Sequence, residues 1–127
     1  MQKSTPMTAT SYPSIVGGVL AQLRGQQGLR QEDLAQAIGI TQTTMSRVET
    51  GQSSLTIDHL SLAARHLGIA PNQILAYADY NETSFQNRGI EVFPTRQTLD
   101  PEKVMIFLGG AVLATLITLA VVNLPQS

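Results

Sequence analysis

Gln31–Thr50, QEDLAQAIGITQTTMSRVET, holds two apolar-periodic segments separated by three residues. Gln31–Ile38 sets Leu34, Ala35 and Ile38 on one helical face, and Gln42–Thr50 does the same with Met45 and Val48. Between them stand Gly39, Ile40 and Thr41. Gly39 suits the left-handed backbone of a helix C-cap. The Thr41 hydroxyl suits an N-cap, with Ile40 stapled onto Met45. Ala35 is small where two helices have to approach closely.

The same punctuation extends outward. Gly28, Gly39, Gly51 and Gly68 each follow an apolar-periodic segment. Upstream, Ile15, Val16, Val19, Leu20 and Leu23 form one helix stripe, which Gly17 and Gly18 weaken locally. Downstream, Ile57–Leu67 carries Ile57, Leu60, Ala64 and Leu67, with Thr56 as N-cap and Leu55 stapled onto Leu60. Pro71 suits the first turn of a fifth helix with Ile74 and Leu75 apolar. No strand-like alternation competes. The expectation is an all-α, five-helix domain over 14–78, near the lower size limit for independent folding. Two short helices joined by three residues make a helix-turn-helix, whose second helix is the one offered to a DNA major groove.

The run QEDLA, then G-I-T, then S-R-V-E-T-G, then an apolar helix ending in L-G-I resembles the lambda repressor/Cro-like, XRE-type regulators. The resemblance covers about half the chain. It implies a five-helix domain that binds operator DNA, commonly as a homodimer. It implies base reading by Gln42, Thr43, Ser46 and Arg47, which share one polar face at i, i+1, i+4 and i+5. Gln pairs with adenine and Arg with guanine at the major-groove edge. Gln31 is implied to meet a phosphate and support the recognition helix, with Ser53 and Ser54 holding phosphate after it. Arg24 and Glu49 are implied to form a structural ion pair. Arg30 stands where the family often has a Ser or Thr cap; Arg caps poorly but reaches phosphate.

Composition narrows the chemistry. The 127 residues carry a net charge of −1, and only 13% are charged, against about 25% in typical globular chains. Cys is absent, which excludes disulfides, thiolate metal sites and a Cys nucleophile. There is no phosphate-binding Gly loop, paired-carboxylate cleft or nucleophile with a base, so no enzyme, cofactor or metal site is expected. Within 14–79, Arg24, Arg30, Arg47 and Arg65 face Glu32, Asp33, Glu49, Asp58 and Asp79, a net charge of −1. A DNA-binding domain ordinarily carries a basic footprint, because counterion release supplies much of its affinity.

Val104–Val122 is a run of 19 residues without a charge. As a helix it would be about 28 Å long, against a bilayer core of roughly 30 Å. The sequence therefore predicts a disordered arm over 1–13, a linker over 79–102 with a short extended piece at 90–93, and a transmembrane helix over 103–124. Arg88, Arg96 and Lys103 precede the span and no charge follows it, which orients the head to the cytoplasm of a bacterial inner membrane. Gly110, Ala114 and Thr118, spaced by four, would let two spans pack closely. The expected partners are double-stranded DNA, the lipid bilayer and a second copy. An alternative expectation is a membrane-anchored adaptor whose head binds a membrane or cytoskeletal protein. On either reading, deleting 103–127 leaves the head folded.

Overall fold

A computed structural model describes residues 7–97 and 105–119. The order is β1 (Met7–Ser11), α1 (Tyr12–Gln26), α2 (Gln31–Ile38), α3 (Gln42–Glu49), α4 (Ile57–Leu67), α5 (Pro71–Asn87), β2 (Glu91–Phe93), β3 (Met105–Phe107) and α6 (Gly110–Leu116). The first five helices form where the apolar periodicity and caps predict. Thr41 Oγ1 accepts from the Thr44 N–H at 3.1 Å and Thr56 Oγ1 from the His59 N–H at 3.1 Å. Gly39 (φ 78°) and Gly68 (φ 77°) end α2 and α4 in the left-handed region.

The core joins α1 to the other helices through Ile15, Val19, Leu20, Leu34, Met45, Ala63, Ala64, Ile74 and Ala78, all fully buried. Gly17 lies at the crossing of α1 over α3. A Cβ there would overlap the Val48 carbonyl oxygen and stand 3.1 Å from the Glu49 Cα. What reads locally as a weak helix position is therefore the point of closest backbone approach.

Three departures from the sequence reading concern the ends. Residues 7–11, expected within a disordered arm, form β1, and Ser11 caps α1 by accepting from the Ser14 N–H at 3.2 Å. Residues 1–6 lie outside the described residues. Next, α5 continues to Asn87, well into the expected linker, because Ile74, Ala78, Asn81 and Phe85 make one buried stripe. The polar residues around Asn81 hide that stripe from a hydropathy reading. The extended piece is present as β2, which pairs parallel to β1 with Thr10 opposite Val92 and Ser11 opposite Phe93.

The third departure is the apolar run. Instead of one helix over 103–124, the described part forms β3, parallel to β1 on its other edge, and the seven-residue α6 against α1. Among the described residues no helix is long and apolar enough to cross a membrane. At the two ends of α6, Gly110 takes φ +58° and Ile117 has extended backbone. Side chains of the head then hold the segment by its main chain. Thr10 donates to the Leu108 carbonyl at 2.8 Å, and Gln22 donates to that of Ala114. The Asn81 amide donates to the Thr118 carbonyl and accepts from its N–H, both at 2.9 Å. Leu113 and Ile117 enter the core. Because α6 ends at Leu116, Gly110, Ala114 and Thr118 do not share a helix face: Gly110 approaches Thr50, Ala114 lies by Gln22, and Thr118 is bound to Asn81. Residues 98–104 and 120–127, parts of the expected linker and span, lie outside the described residues.

Candidate nucleic-acid interface

The turn between α2 and α3 sets the geometry. The Ile40 N–H donates to the Ala35 carbonyl at 3.0 Å, and the Gly39 N–H to Gln36 at 3.3 Å. These bonds close the end of α2 and throw α3 across it. Met45 and Val48 then face inward. The opposite face of α3 is left outward: Gln42, Thr43 and Arg47 are exposed and Ser46 half-buried. Together with Gln31 of α2 they line one open depression of ≈ 390 Å³. The four residues expected to read bases and the Gln expected to support them thus share a single surface.

Behind this surface stands a partly buried polar knot. The Arg24 guanidinium of α1 meets the Glu49 carboxylate of α3 through Nε–Oε2 at 2.8 Å and Nη2–Oε1 at 3.0 Å. Arg24 also donates to the Leu29 carbonyl at 2.8 Å. Gln31 Nε2 donates to Glu49 Oε1 at 2.9 Å. One carboxylate therefore ties α1, α2 and α3 together. The Gln31 amide keeps a second N–H toward the open depression, and the backbone N–H at the first turn of α2 adds another donor for an anion.

The flanking residues divide. Arg30 is exposed but turns onto Asp33, with Nη2–Oδ1 and Nε–Oδ2 both at 3.3 Å. The Asp33 carboxylate also caps α2 by accepting from the Arg30 N–H at 2.9 Å. These hydrogen bonds hold the Asp33 carboxyl below its ordinary range and raise the Arg30 guanidinium. Arg30 thus reinforces the start of α2 while its side chain stays largely exposed. In the loop after α3 the Gln52 and Ser53 N–H groups both fold back onto the Arg47 carbonyl, at 2.7 and 3.1 Å. Ser53 is half-buried and Ser54 exposed. That loop also borders an apolar groove of ≈ 210 Å³ whose walls include Tyr12, Val16, Ile57 and Leu75. Among the described residues no group of three or more His, Cys, Asp and Glu is placed to hold a metal.

Residues 20–74 match the model of the helix-turn-helix family. This stretch is a helix-turn-helix domain. Two crystal structures of ClgR, the clp gene regulator of Corynebacterium glutamicum, have the same fold. One aligns with a TM-score of 0.59 at 19% identity, covering 61% of this chain and 82% of the other. The second aligns at 0.51 and 22% identity, covering 54% and 90%. No curated protein is significantly similar in sequence. The helix-turn-helix match begins inside α1 and stops inside α5, so β1, β2, β3 and α6 lie outside it.

Two side chains took on roles that no local pattern signals. Asn81, which in sequence looks like a glycosylation sequon, is 1% exposed and clamps Thr118. Arg96, in sequence a flank of the apolar run, donates through Nη1 to the Gln52 carbonyl at 2.8 Å, in the loop that follows α3.

Proposed function

We propose that the protein is a transcriptional regulator that binds operator DNA through its helix-turn-helix domain, with α3 in the major groove. Gln42, Thr43, Ser46 and Arg47 meet base edges, and the start of α2 at Gln31 and the hydroxyl of Ser54 meet phosphates. The observation that carries this reading is the shared outward surface of those four α3 residues with Gln31, backed by the Arg24–Glu49–Gln31 knot. The low positive charge of the head makes a single copy a weak binder, which favours a homodimer on paired half-sites. A bilayer anchor is not part of this reading, because Leu113 and Ile117 are core residues in the fold.

The test selects bound fragments from random or genomic DNA at roughly physiological salt, using the full chain. The variant with Gln42→Ala, Thr43→Ala and Arg47→Ala serves as control. Each bidentate base contact is worth about 1–3 kcal/mol of discrimination. A motif recovered with the parent protein and lost with the variant, at unchanged melting temperature, is the expected result. The same motif from both proteins removes α3 as the reader. No enrichment by the parent protein overturns the DNA reading and leaves the near-neutral head as a protein-binding module.

A further inference from the structure

The loop that follows α3, residues 50–56, contains no Lys or Arg. The family resemblance that sets Ser53 and Ser54 on phosphate places this loop beside the DNA backbone. Of the four cations between residues 14 and 79, Arg24 is held by Glu49, Arg30 pairs with Asp33, and Arg65 lies in the last turn of α4, outside the depression that Arg47 lines. The interface proposed above thus rests on Arg47 for most of its positive charge, and the strand beside the loop is left without a counter-charge.

The fold supplies one from outside the helix-turn-helix match. β2 runs parallel to β1, which sets Phe93 opposite Ser11. Ser11 begins α1, and Ser14 in its first turn packs so closely on Gly51 that a Cβ on Gly51 would overlap the Ser14 hydroxyl. The end of β2 is therefore tied through α1 to the loop after α3. Three residues beyond Phe93, Arg96 reaches that loop, and its Nη1 donates to the Gln52 carbonyl at 2.8 Å. Arg96 is exposed, and with Gln97 it faces Thr50, Gly51 and Gln52 across an open cavity of ≈ 390 Å³. A guanidinium carries five N–H donors in a planar fork. One bond to a carbonyl fixes the fork and leaves the other donors for phosphate oxygens.

We infer that Arg96 is a DNA-backbone contact, an additional phosphate-binding cation delivered to the interface by the segment that follows β2. This rests on the DNA-binding reading. It adds a residue that neither the helix-turn-helix pattern nor the matched span contains. Arg96 adds affinity and no base preference, because a phosphate contact carries no sequence information.

The experiment measures binding of the full chain to a fluorescent duplex as a function of KCl, for the parent protein, Arg96→Gln, Arg96→Lys and Arg88→Gln. Arg88 is an exposed cation at the end of α5 and controls for net charge. Arg96→Gln is expected to weaken binding roughly threefold to tenfold at low salt, equally on the selected site and on a scrambled one. It also lowers the slope of log Kobs against log[salt] by about 0.9 per protomer. Arg96→Lys retains the slope, and Arg88→Gln leaves it unchanged. A purely structural tie to Gln52 would alter the melting temperature and not the slope. An unchanged slope in Arg96→Gln, or an equal fall in Arg88→Gln, overturns the assignment while leaving the DNA reading intact. A parent protein that binds no duplex at any salt overturns both.

Discussion

Leu113 is an apolar residue of a run that sequence alone separates from the head, yet in the fold it is 1% exposed and belongs to the core. Its replacement by Ala therefore discriminates sharply between the two arrangements. A buried Leu→Ala change costs about 2–5 kcal/mol through lost transfer energy and the cavity left behind. α6 lies at the periphery and can shift to close part of the cavity, so the low end, about 2–3 kcal/mol, is expected. The loss also has a ceiling. Once it exceeds the free energy that docks residues 105–119, the segment leaves the head and further truncation costs nothing. Adding Ile117→Ala, at a site 6% exposed, should therefore lower stability by less than Ile117→Ala alone. For a domain of this size 1 kcal/mol moves Tm by roughly 4–8 °C, so Leu113→Ala should melt about 10–20 °C below the parent protein. The assay is thermal unfolding of the full chain followed by far-UV circular dichroism. Val112→Ala is the control, since Val112 is 60% exposed. If Leu113→Ala and Val112→Ala both melt within about 2 °C of the parent protein, below any of the losses assigned to cavity formation, the segment is not docked and the core described here is wrong.

Two glycines of α1 should respond in opposite directions. Gly17→Ala gains helix propensity of about 1 kcal/mol but forces the Val48 carbonyl away, for a net loss of about 1–3 kcal/mol. Gly25→Ala meets nothing within 4 Å and should raise the urea midpoint by the equivalent of about 0.5 kcal/mol; a stabilised Gly17→Ala protein contradicts the α1–α3 crossing. Tyr12 predicts an alkaline limb. Burial pushes its phenol upward first, and the hydrogen bond it donates to Asp79 at 2.6 Å, with the Asp79 and Glu82 charges, adds to this. The folded chain thus holds that proton more tightly than the unfolded chain. The stabilisation is fully present below the unfolded value of about 10 and is lost as pH rises through the folded value above it. Stability of the parent protein should fall above pH ~10 more steeply than that of Tyr12→Phe. Parallel curves refute the Tyr12–Asp79 contact.

The helix-turn-helix was legible because its determinants are local. Apolar spacing of three and four residues, the Thr41 and Thr56 hydroxyls three residues before the N–H groups they cap, and a glycine free to take positive φ at 39 and 68 all act within one or two turns. Gln42, Thr43, Ser46 and Arg47 share a face for the same reason: one helix carries them, and its period places them. The family resemblance also pointed to the Arg24–Glu49 contact, which the fold contains. It did not point to the Gln31 bond that joins α2 to the same carboxylate, or to the exposed Arg30–Asp33 pair at the start of α2.

What failed to show in sequence depends on partners far along the chain. β1 becomes a strand only because residues 91–93 and 105–107 pair with its two edges, and five residues with two threonines carry no such signal. Hydropathy measures how strongly Val104–Val122 avoids water, and a bilayer and the side of α1 satisfy that preference alike. The choice between them here lies in polar side chains elsewhere. Thr10, Gln22 and Asn81 meet the main chain of the segment at 108, 114 and 118, where each partly buried contact replaces a bond to water. Local propensity and capping thus determined the domain and its candidate reading face from the sequence. Long-range main-chain hydrogen bonding and core filling, which no window of neighbouring residues contains, decided the sheet, the place of the apolar run and the position of Arg96.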